Sequence, residues 1–224
     1  MTAADGRRAD QELREHPDRD VALDLYAGHA AAYDEDTDWA GPERARAVEL
    51  LDLQAGDVVF DVGCGTGLCF SQLQEAVGDG GRVVGIEQSI DMLRQARCRV
   101  DAAGWRNVDL VLGSAEDVEL PGPADAALFC FTHDVLRLPA AVDNVIAHLR
   151  PGGRVAAVGP MWAPWWAPGM NLLIWYCTSP YVTTYEGFEE PWSVLAERVP
   201  ALRVERQELL GRYFASGRLE APAP

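Results

Sequence analysis

The chain has 224 residues and a formal net charge of −16 at pH 7, and all 19 of its basic residues are arginine. This length suits a single domain with a sizeable core. The acidity disfavours a nucleic-acid partner, because phosphate backbones are bound by basic surfaces. It is compatible with simple solubility, or with a cationic or amine substrate.

Cysteine usage and hydropathy indicate a cytoplasmic protein. The five cysteines form no CxxC pair and most lie in apolar runs, which predicts free buried thiols in a reducing compartment, with no metal site. Residues 1–20 are polar without the apolar core of a signal peptide, and we expect a flexible leader there. Residues 155–185 carry no charge, but four prolines interrupt them, so we predict no integral membrane segment.

Strands and helices alternate along the remaining 21–224, which we interpret as one domain. The predicted strands are 58–62, 82–87, 108–112, 124–130, 154–159 and 202–210, with a hairpin partner of the last one beginning at Tyr213. The predicted helices are 20–32, 43–51, 68–77, 90–103, 139–149, 170–177 and 191–199. Such alternation is typical of an α/β fold whose parallel sheet is covered on both faces.

A glycine-rich turn, 61–67 (DVGCGTG), follows the first strand. Glycine allows a sharp turn and lets a ligand approach without a Cβ in the way. The helix that follows offers free N–H groups and a positive dipole end. The spacing G-x-G-x-G differs from the dinucleotide fingerprint G-x-G-x-x-G, and there is no G-K-[ST] of a P-loop.

This turn resembles motif I of the class I S-adenosylmethionine (SAM)-dependent methyltransferases, and the order of elements resembles their core over about 25–210. The resemblance implies a Rossmann-like, mostly parallel seven-stranded sheet with helices on both faces. It also implies SAM as cofactor and S-adenosylhomocysteine as product. Residues 149–153 (LRPGG) are similar to the family's L-x-P-G-G, a structural turn. We expect a small aromatic-rich cap insertion at 160–190 and an N-terminal lid at 21–41.

The resemblance also implies a cofactor site at the carboxyl ends of the strands, where open α/β sheets bind ligands. The glycines would hold the methionine part of SAM with Asp61 beneath them, and Glu87 would take both ribose hydroxyls. Ser114 stands where the family often has aspartate, so Glu116 or Asp117 could replace that adenine contact. The expected cofactor-binding residues are Tyr26, Tyr33, Asp61, Gly63, Gly65, Gly67, Glu87, Gln88, Met92, Ser114, Ala115, Glu116 and Cys130.

Some of these side chains could have a structural role instead of binding the cofactor. Glu87 could be a solvated strand end, and Tyr26 and Tyr33 could belong to ordinary helix packing rather than to a lid that closes over the cofactor.

His133, which follows the fourth strand, is our first candidate for a general base, because histidine titrates near neutrality and Asp134 could orient it. It could equally be a structural loop histidine, and His29 is the reserve candidate.

The candidate substrate-binding residues are Phe131, Trp162, Trp165 and Trp166. Aromatic walls suit an apolar or aromatic small molecule, or hold a cation by cation–π attraction. The same tryptophans could instead pack a cap or sit at a lipid interface.

The sequence therefore predicts a SAM-dependent methyltransferase acting on an O or N atom of a small molecule. One alternative is an enzyme that uses SAM or its scaffold for another reaction, such as a cyclisation. A nicotinamide-dependent oxidoreductase would need a later third glycine and a catalytic Tyr/Lys pair, and the chain has no lysine. A non-catalytic partner protein with this fold is disfavoured by the intact glycine turn and Glu87.

Overall fold

The computed structural model describes residues 17–29 and 33–220, with side chains excluded at 26–29. Most of the predicted leader and the side chains of Tyr26 and His29 therefore lie outside the described residues. Residues 17–20, the end of that leader, are described, and Arg19 begins the first helix.

Seven strands form one sheet in the order β3-β2-β1-β4-β5-β7-β6. They are β1 Val58–Val62, β2 Arg82–Glu87, β3 Val108–Leu112, β4 Ala124–Cys130, β5 Leu149–Pro160, β6 Arg203–Gln207 and β7 Arg212–Arg218. The first five pair in parallel, and β7 runs antiparallel to both β5 and β6. The predicted mostly parallel seven-stranded sheet is confirmed.

The helices connect these strands. In the described part of the chain they are α1 Arg19–His29, α2 Tyr33–Thr37, α3 Gly41–Leu50, α4 Phe70–Val77, α5 Ile90–Ala103, α6 His133–Leu136, α7 Pro139–Ala147, α8 Pro168–Thr178 and α9 Ser193–Arg198. The Ser89 hydroxyl accepts from the N–H of Met92 at 3.4 Å and caps α5.

Both faces of the sheet carry a hydrophobic core, because alternate side chains of a strand point to opposite faces. On one side Phe60 packs with Val142 of α7 and Leu195 of α9. On the other, Val59 packs with Leu73 of α4 and, further along, Val100 of α5. This arrangement explains the near-continuous apolar runs of the central strands.

The largest differences from the predicted elements lie at strand ends. β5 begins at Leu149, because that residue pairs with Ala124 across a register shift, so LRPGG is part of a strand rather than only a turn. The strand predicted at 202–210 ends at Gln207, and a short 3₁₀ turn, Glu208–Leu210, leads to β7. The segment Tyr181–Tyr185 is a loop.

All five cysteines are free thiols, but the prediction that they are buried is only partly right. Cys64 and Cys69 are buried, whereas Cys98 and Cys177 are exposed on helices. Within the described ranges no helix is long and apolar enough to cross a membrane. The predicted division into leader, lid and cap stays a prediction.

Candidate active site

β1 lies between β2 and β4, so the crossover connections leave the sheet in opposite directions from its carboxyl end. This is the topological switch point at which open α/β sheets bind ligands. The glycine turn follows β1 at this place, and Gly63 and Cys64 donate their N–H groups to the Ile86 carbonyl at 2.8 and 3.0 Å. The turn is thereby fastened to the end of β2.

The three glycines of the turn all have positive φ, of 68° at Gly63, 56° at Gly65 and 81° at Gly67. A Cβ at Gly63 would lie 2.6 Å from the Thr132 side chain, and one at Gly67 would lie 2.5 Å from the Phe70 ring. Those two positions are glycine because the protein itself fills the space. At Gly65 the nearest atom would be Cε1 of Tyr33 at 4.0 Å, so the space beside Gly65 is open.

Glu87, at the end of β2, ties this open cradle to the next helix. Its Oε2 accepts from the Gly65 N–H at 2.9 Å, and its Oε1 accepts from the Ser89 N–H at 2.8 Å. Burial raises the pKa of the carboxyl group, and these backbone donors oppose that shift. Because a carboxylate has about four lone-pair sites, these donors leave acceptor capacity for a ligand.

Asp61 lies beneath the turn and is 2 % exposed. Burial raises its pKa to about 7, the nearby Glu87 adds to the shift, and Arg44 opposes it. Within the described residues its Oδ2 has no hydrogen-bond partner. A buried acceptor left in this state is costly unless a ligand or water satisfies it.

A cavity of about 170 Å³ opens at this edge of the sheet. Twelve of the predicted site residues line it: Tyr33, Gly63, Gly65, Glu87, Gln88, Met92, Ser114, Ala115, Glu116, Cys130, Phe131 and His133. Asp61 and Gly67 support the turn from behind and do not line the cavity. Sequence reasoning missed other lining residues, notably Asp18, Thr132 and Tyr181.

The structure does not bring the predicted tryptophans to this cavity. The Trp162 ring stacks on Tyr185 at 5.2 Å and packs against Phe188 at 5.0 Å, inside a small cluster of its own. Trp165 and Trp166 are 89 % and 58 % exposed. The prolines around these residues remove the periodicity that would have told inward from outward positions.

The N-terminal segment is fastened to the glycine turn through Asp34. Its carboxylate accepts from the Thr66 hydroxyl and from Arg99, whose Nε also donates to the Thr66 carbonyl at 2.9 Å. Tyr33, the preceding residue, is thereby held over Gly65. Burial raises the pKa of the Tyr33 phenol, so this side chain stays neutral.

A second segment closes the cavity from the other side. The Tyr181 ring meets the Tyr33 ring edge-to-face at 5.4 Å, and its hydroxyl donates to Asp36 at 3.3 Å. Two positions on, the Thr183 hydroxyl accepts from the Asp18 N–H at 3.0 Å, and the Thr183 N–H donates to Asp134 at 2.8 Å. The segments before α1, at α2, after α8 and after β4 thus meet around one cavity.

His133 differs from the prediction in its pKa and in the surroundings of its ring. Burial, with a contribution from Arg137, lowers its pKa to about 3, although the backbone of Glu186 opposes the shift. The expectation that it titrates near neutrality is therefore wrong. Both ring nitrogens are buried, Asp134 accepts from the Thr183 N–H, and the His133 ring packs on Phe188 at 4.6 Å.

The adenine-loop candidates are placed by their backbone. Ser114 is buried, and its carbonyl accepts from the N–H groups of Asp117 and Val118 at 3.2 and 2.9 Å, which folds the loop against the cavity. Glu116 lies 3.9 Å from the Arg19 guanidinium and Asp117 lies 3.6 Å from it. The acidic loop after β3 therefore also contacts the N-terminal segment.

The residues at this edge fit the cofactor that the sequence implied. Gly65 leaves a cradle that a Cβ would narrow, Glu87 keeps lone pairs for hydroxyl groups, and the buried Asp61 carboxyl group lies behind the turn. Met92 adds an apolar wall. These features together suit a ligand with a ribose, an apolar ring and a positive charge.

The fold is a Rossmann-like α/β sheet, and the cavity at its switch point has a lining that suits a nucleoside. Residues 59–153 match the family model described as "Methyltransferase domain". This matched segment contains the glycine turn and Glu87, so the family model agrees with the resemblance to the class I SAM-dependent methyltransferases, whose cofactor is SAM.

Similar proteins include the aklanonic acid methyltransferase of Streptomyces sp. strain C5, with 34 % identity over 125 residues, 54 % of this chain and 56 % of the relative. The nocamycin O-methyltransferase of Saccharothrix syringae is 33 % identical over 125 residues, 55 % of this chain and 45 % of that protein. The chain thus spans about half the length of the curated relatives it matches.

Among solved structures, the geranyl diphosphate C-methyltransferase of Streptomyces coelicolor A3(2) superposes with a TM-score of 0.65 at 13 % identity. The match covers 80 % of this chain and 75 % of that one, whose structure holds Mg²⁺, geranyl-S-thiolodiphosphate and S-adenosylhomocysteine. At this identity the likeness shows the fold.

Proposed function

We propose that this protein transfers a methyl group from SAM to an oxygen or nitrogen atom of a small molecule. The observation that carries the proposal is the pairing of Gly65 with Glu87 at the mouth of the cavity. One side chain there stabilises the open cradle and keeps acceptor sites for a ribose. SAM, when bound, supplies an electrophilic methyl group on its sulfonium.

The residues have distinct roles in this proposal. Glu87 accepts from the ribose hydroxyls, and the backbone of Gly63 and Gly65 approaches the methionine part. Asp61 supplies negative charge beneath it, and the raised pKa of its carboxyl group is expected to fall when a positive ligand arrives. Tyr33 covers the cradle from the N-terminal side.

The acceptor side of the cavity supports a small, largely apolar substrate. The apolar part of the cavity lining includes Phe131, Tyr181, Leu138 and Ala141, and we assign it to the acceptor. Several relatives are named for small molecules, namely aklanonic acid, nocamycin and demethylmenaquinone, whereas another is named for protein L-isoaspartate. An enclosed site of this size favours positioning as the main source of rate enhancement.

The state of His133 further restricts the acceptor. Although His133 lines the cavity, its pKa of about 3 and its two buried ring nitrogens make it a weak base. Asp134 is held by the Thr183 N–H. We therefore propose that the acceptor is already deprotonated at neutral pH, as a carboxylate, an acidic phenol or a weakly basic amine is.

Calorimetric titration with SAM, S-adenosylhomocysteine and NAD(H) tests the cofactor. We expect micromolar binding of the first two ligands and none of the third, with Glu87→Gln weakening both and the exposed Glu75→Gln leaving both unchanged. Binding of NAD(H) alone would contradict the proposal. Incubation of the SAM-loaded protein with carboxylate, phenol and amine acceptors, followed by mass spectrometry, then tests methyl transfer itself.

A further inference from the structure

Exposed apolar side chains are concentrated on one part of the molecule. Of the ten large apolar side chains that are exposed in the described residues, seven belong to three neighbouring segments. We name this set the apolar surface: Trp165, Trp166, Leu172, Leu173, Tyr176, Leu209 and Leu210, between 52 % and 89 % exposed. Patches of this kind mark interaction sites rather than ordinary protein surface.

Specific contacts hold the three segments together. The Ala163 N–H donates to the Asn171 side chain at 2.8 Å, and Asn171 donates back to the Ala163 carbonyl at 3.1 Å, which fixes the loop of Trp165 and Trp166 against α8. A Cβ at Gly211 would collide with Ile174, so the turn carrying Leu209 and Leu210 packs directly beside this helix. The three segments that carry the apolar surface are thus direct neighbours.

Helix α8 turns most of its apolar side chains away from the protein. Ile174 is its buried residue, whereas Leu172, Leu173 and Tyr176 share the outer face at spacings of one and four. A helix on the surface of a globular protein normally presents polar residues there. Something apolar must cover this face for its sequence to make physical sense.

The charged residues around the apolar surface indicate what kind of partner it binds. Residues 155–185 contain no charged side chain, while the edge of the apolar surface is acidic. Glu189 and Glu208 line a cleft with Trp162 and Pro164, and the one arginine there, Arg206, lies 3.6 Å from Glu208.

A second copy of the chain is a poor occupant. A two-fold interface would bring each acidic edge against itself, in a chain with a net charge of −16. An anionic membrane is disfavoured by the same acidic edge.

We propose that the apolar surface docks on a zwitterionic phospholipid surface. Tryptophan and tyrosine prefer the boundary between headgroups and acyl chains, and leucines supply the inserted apolar area. Interfacial helices usually add basic residues that attract anionic lipid, and their absence here commits the proposal to uncharged headgroups. The docking does not depend on the proposed methyl transfer.

Vesicle co-sedimentation of the full chain tests this proposal. We expect it to bind phosphatidylcholine vesicles and to bind more weakly when phosphatidylglycerol is added. The fluorescence of Trp165 and Trp166 should shift to the blue on binding. The triple variant Leu172→Ser, Leu173→Ser, Tyr176→Ser should lower the partition coefficient by about tenfold or more, because each side chain loses apolar area from the membrane.

Matched controls separate docking from general adhesion or misfolding. Trp39→Ser removes a 62 % exposed tryptophan outside the apolar surface and should leave partitioning unchanged, whereas the double variant Trp165→Ser, Trp166→Ser should lower it. Circular dichroism should be unchanged in every variant, since these side chains are exposed. Failure to bind any vesicle overturns the proposal, and a dimer that the triple variant converts to monomer would assign the surface to a second copy. Because SAM binding is measured separately, neither outcome bears on the proposed methyl transfer.

Discussion

The N–H of Gly65 donates a 2.9 Å hydrogen bond to Oε2 of Glu87, so the turn after β1 and the end of β2 form one structural unit. The same carboxylate accepts from Ser89, the N-cap of α5, at 2.8 Å. Glu87 therefore shapes the cradle and is also the acid available to a ligand. Loss of this side chain is expected to affect both functions.

Glu87→Gln should weaken SAM binding by about 1.5–3 kcal/mol, the range for hydrogen bonds to a charged group. An amide keeps the shape but points a donor at one of the backbone N–H groups of Gly65 and Ser89. Calorimetry gives the affinity and urea denaturation the change in stability. Unchanged affinity would mean that the ribose is held elsewhere.

Gly65→Ala separates backbone strain from loss of the cradle. Its φ of 56° makes alanine unfavourable by about 1–2 kcal/mol, and its Cβ meets no protein atom closer than 4.0 Å. The matched control is Gly104→Ala, since Gly104 has a φ of 70°, ends α5 and has open space around it. We expect similar losses of unfolding free energy in both variants, with loss of SAM affinity confined to Gly65→Ala. Equal affinities would show that no ligand occupies the space beside Gly65.

His133→Leu should reduce the acid sensitivity of the protein. The folded-state pKa of about 3 lies below the ordinary 6.5, so the unfolded chain binds the extra proton between these values. Wild-type protein therefore loses stability as the pH falls below 6.5, by up to about 1.4 kcal/mol per pH unit from this residue. The stability difference between variant and wild type, from denaturation at pH 7 and pH 5, should grow in favour of the variant.

Asp61 changes the stability of the protein with pH in the opposite direction from His133. The prediction therefore concerns the difference in stability between His133→Leu and the wild type, in which the contribution of Asp61 cancels. Its folded-state pKa of about 7 exceeds the ordinary 3.8, so its contribution to stability is present at low pH and is lost as the pH rises through 7.

Turnover gives a second readout for His133. A general base would cost about 10²–10⁴-fold on removal, and we expect much less than this. A loss in that range would restore His133 as the catalytic base.

Tyr33 and Tyr181 should be energetically coupled, because their rings meet edge-to-face at 5.4 Å over the cavity. A double-mutant cycle of Tyr33→Leu and Tyr181→Leu should give a coupling of about 0.5–1.5 kcal/mol in unfolding free energy. Both single variants should also release SAM faster, as measured by stopped-flow fluorescence. Tyr176→Leu, at an exposed tyrosine of α8, is the control and should change neither quantity. Additive effects would mean that the two segments close the cavity independently.

The sequence predicts the central sheet well because its signals are local. The apolar run of β1, the glycine turn and the acid ending β2 each lie within a few residues of one another, and the predicted bounds of the first four strands agree with the structure. The number of strands and their mostly parallel arrangement follow from the family resemblance. The expected cofactor-lining residues could be predicted as well, because they follow the ends of these strands in the sequence.

Tertiary structure alone decided the rest of the site. Asp18 and Thr183 are 165 positions apart, and no periodicity marks Thr183 as the residue that joins the N-terminal segment to the loop after α8. Composition pointed to Trp165 and Trp166 as a substrate wall, but their direction depends on how Asn171 holds their loop.

His133 shows the physical reason. Its residue type and place in the chain predicted a group that titrates near neutrality, but the pKa of an imidazole is set by the solvent and charge around it. Phe188 is distant from His133 in the sequence and Arg137 is near it. Both supply that environment only once the chain has folded. By itself the sequence determined the fold, the glycine turn and the acid at the end of β2, through local periodicity and motif spacing. Burial and long-range contacts decided which aromatic residues close the cavity, which face solvent and what charge His133 carries.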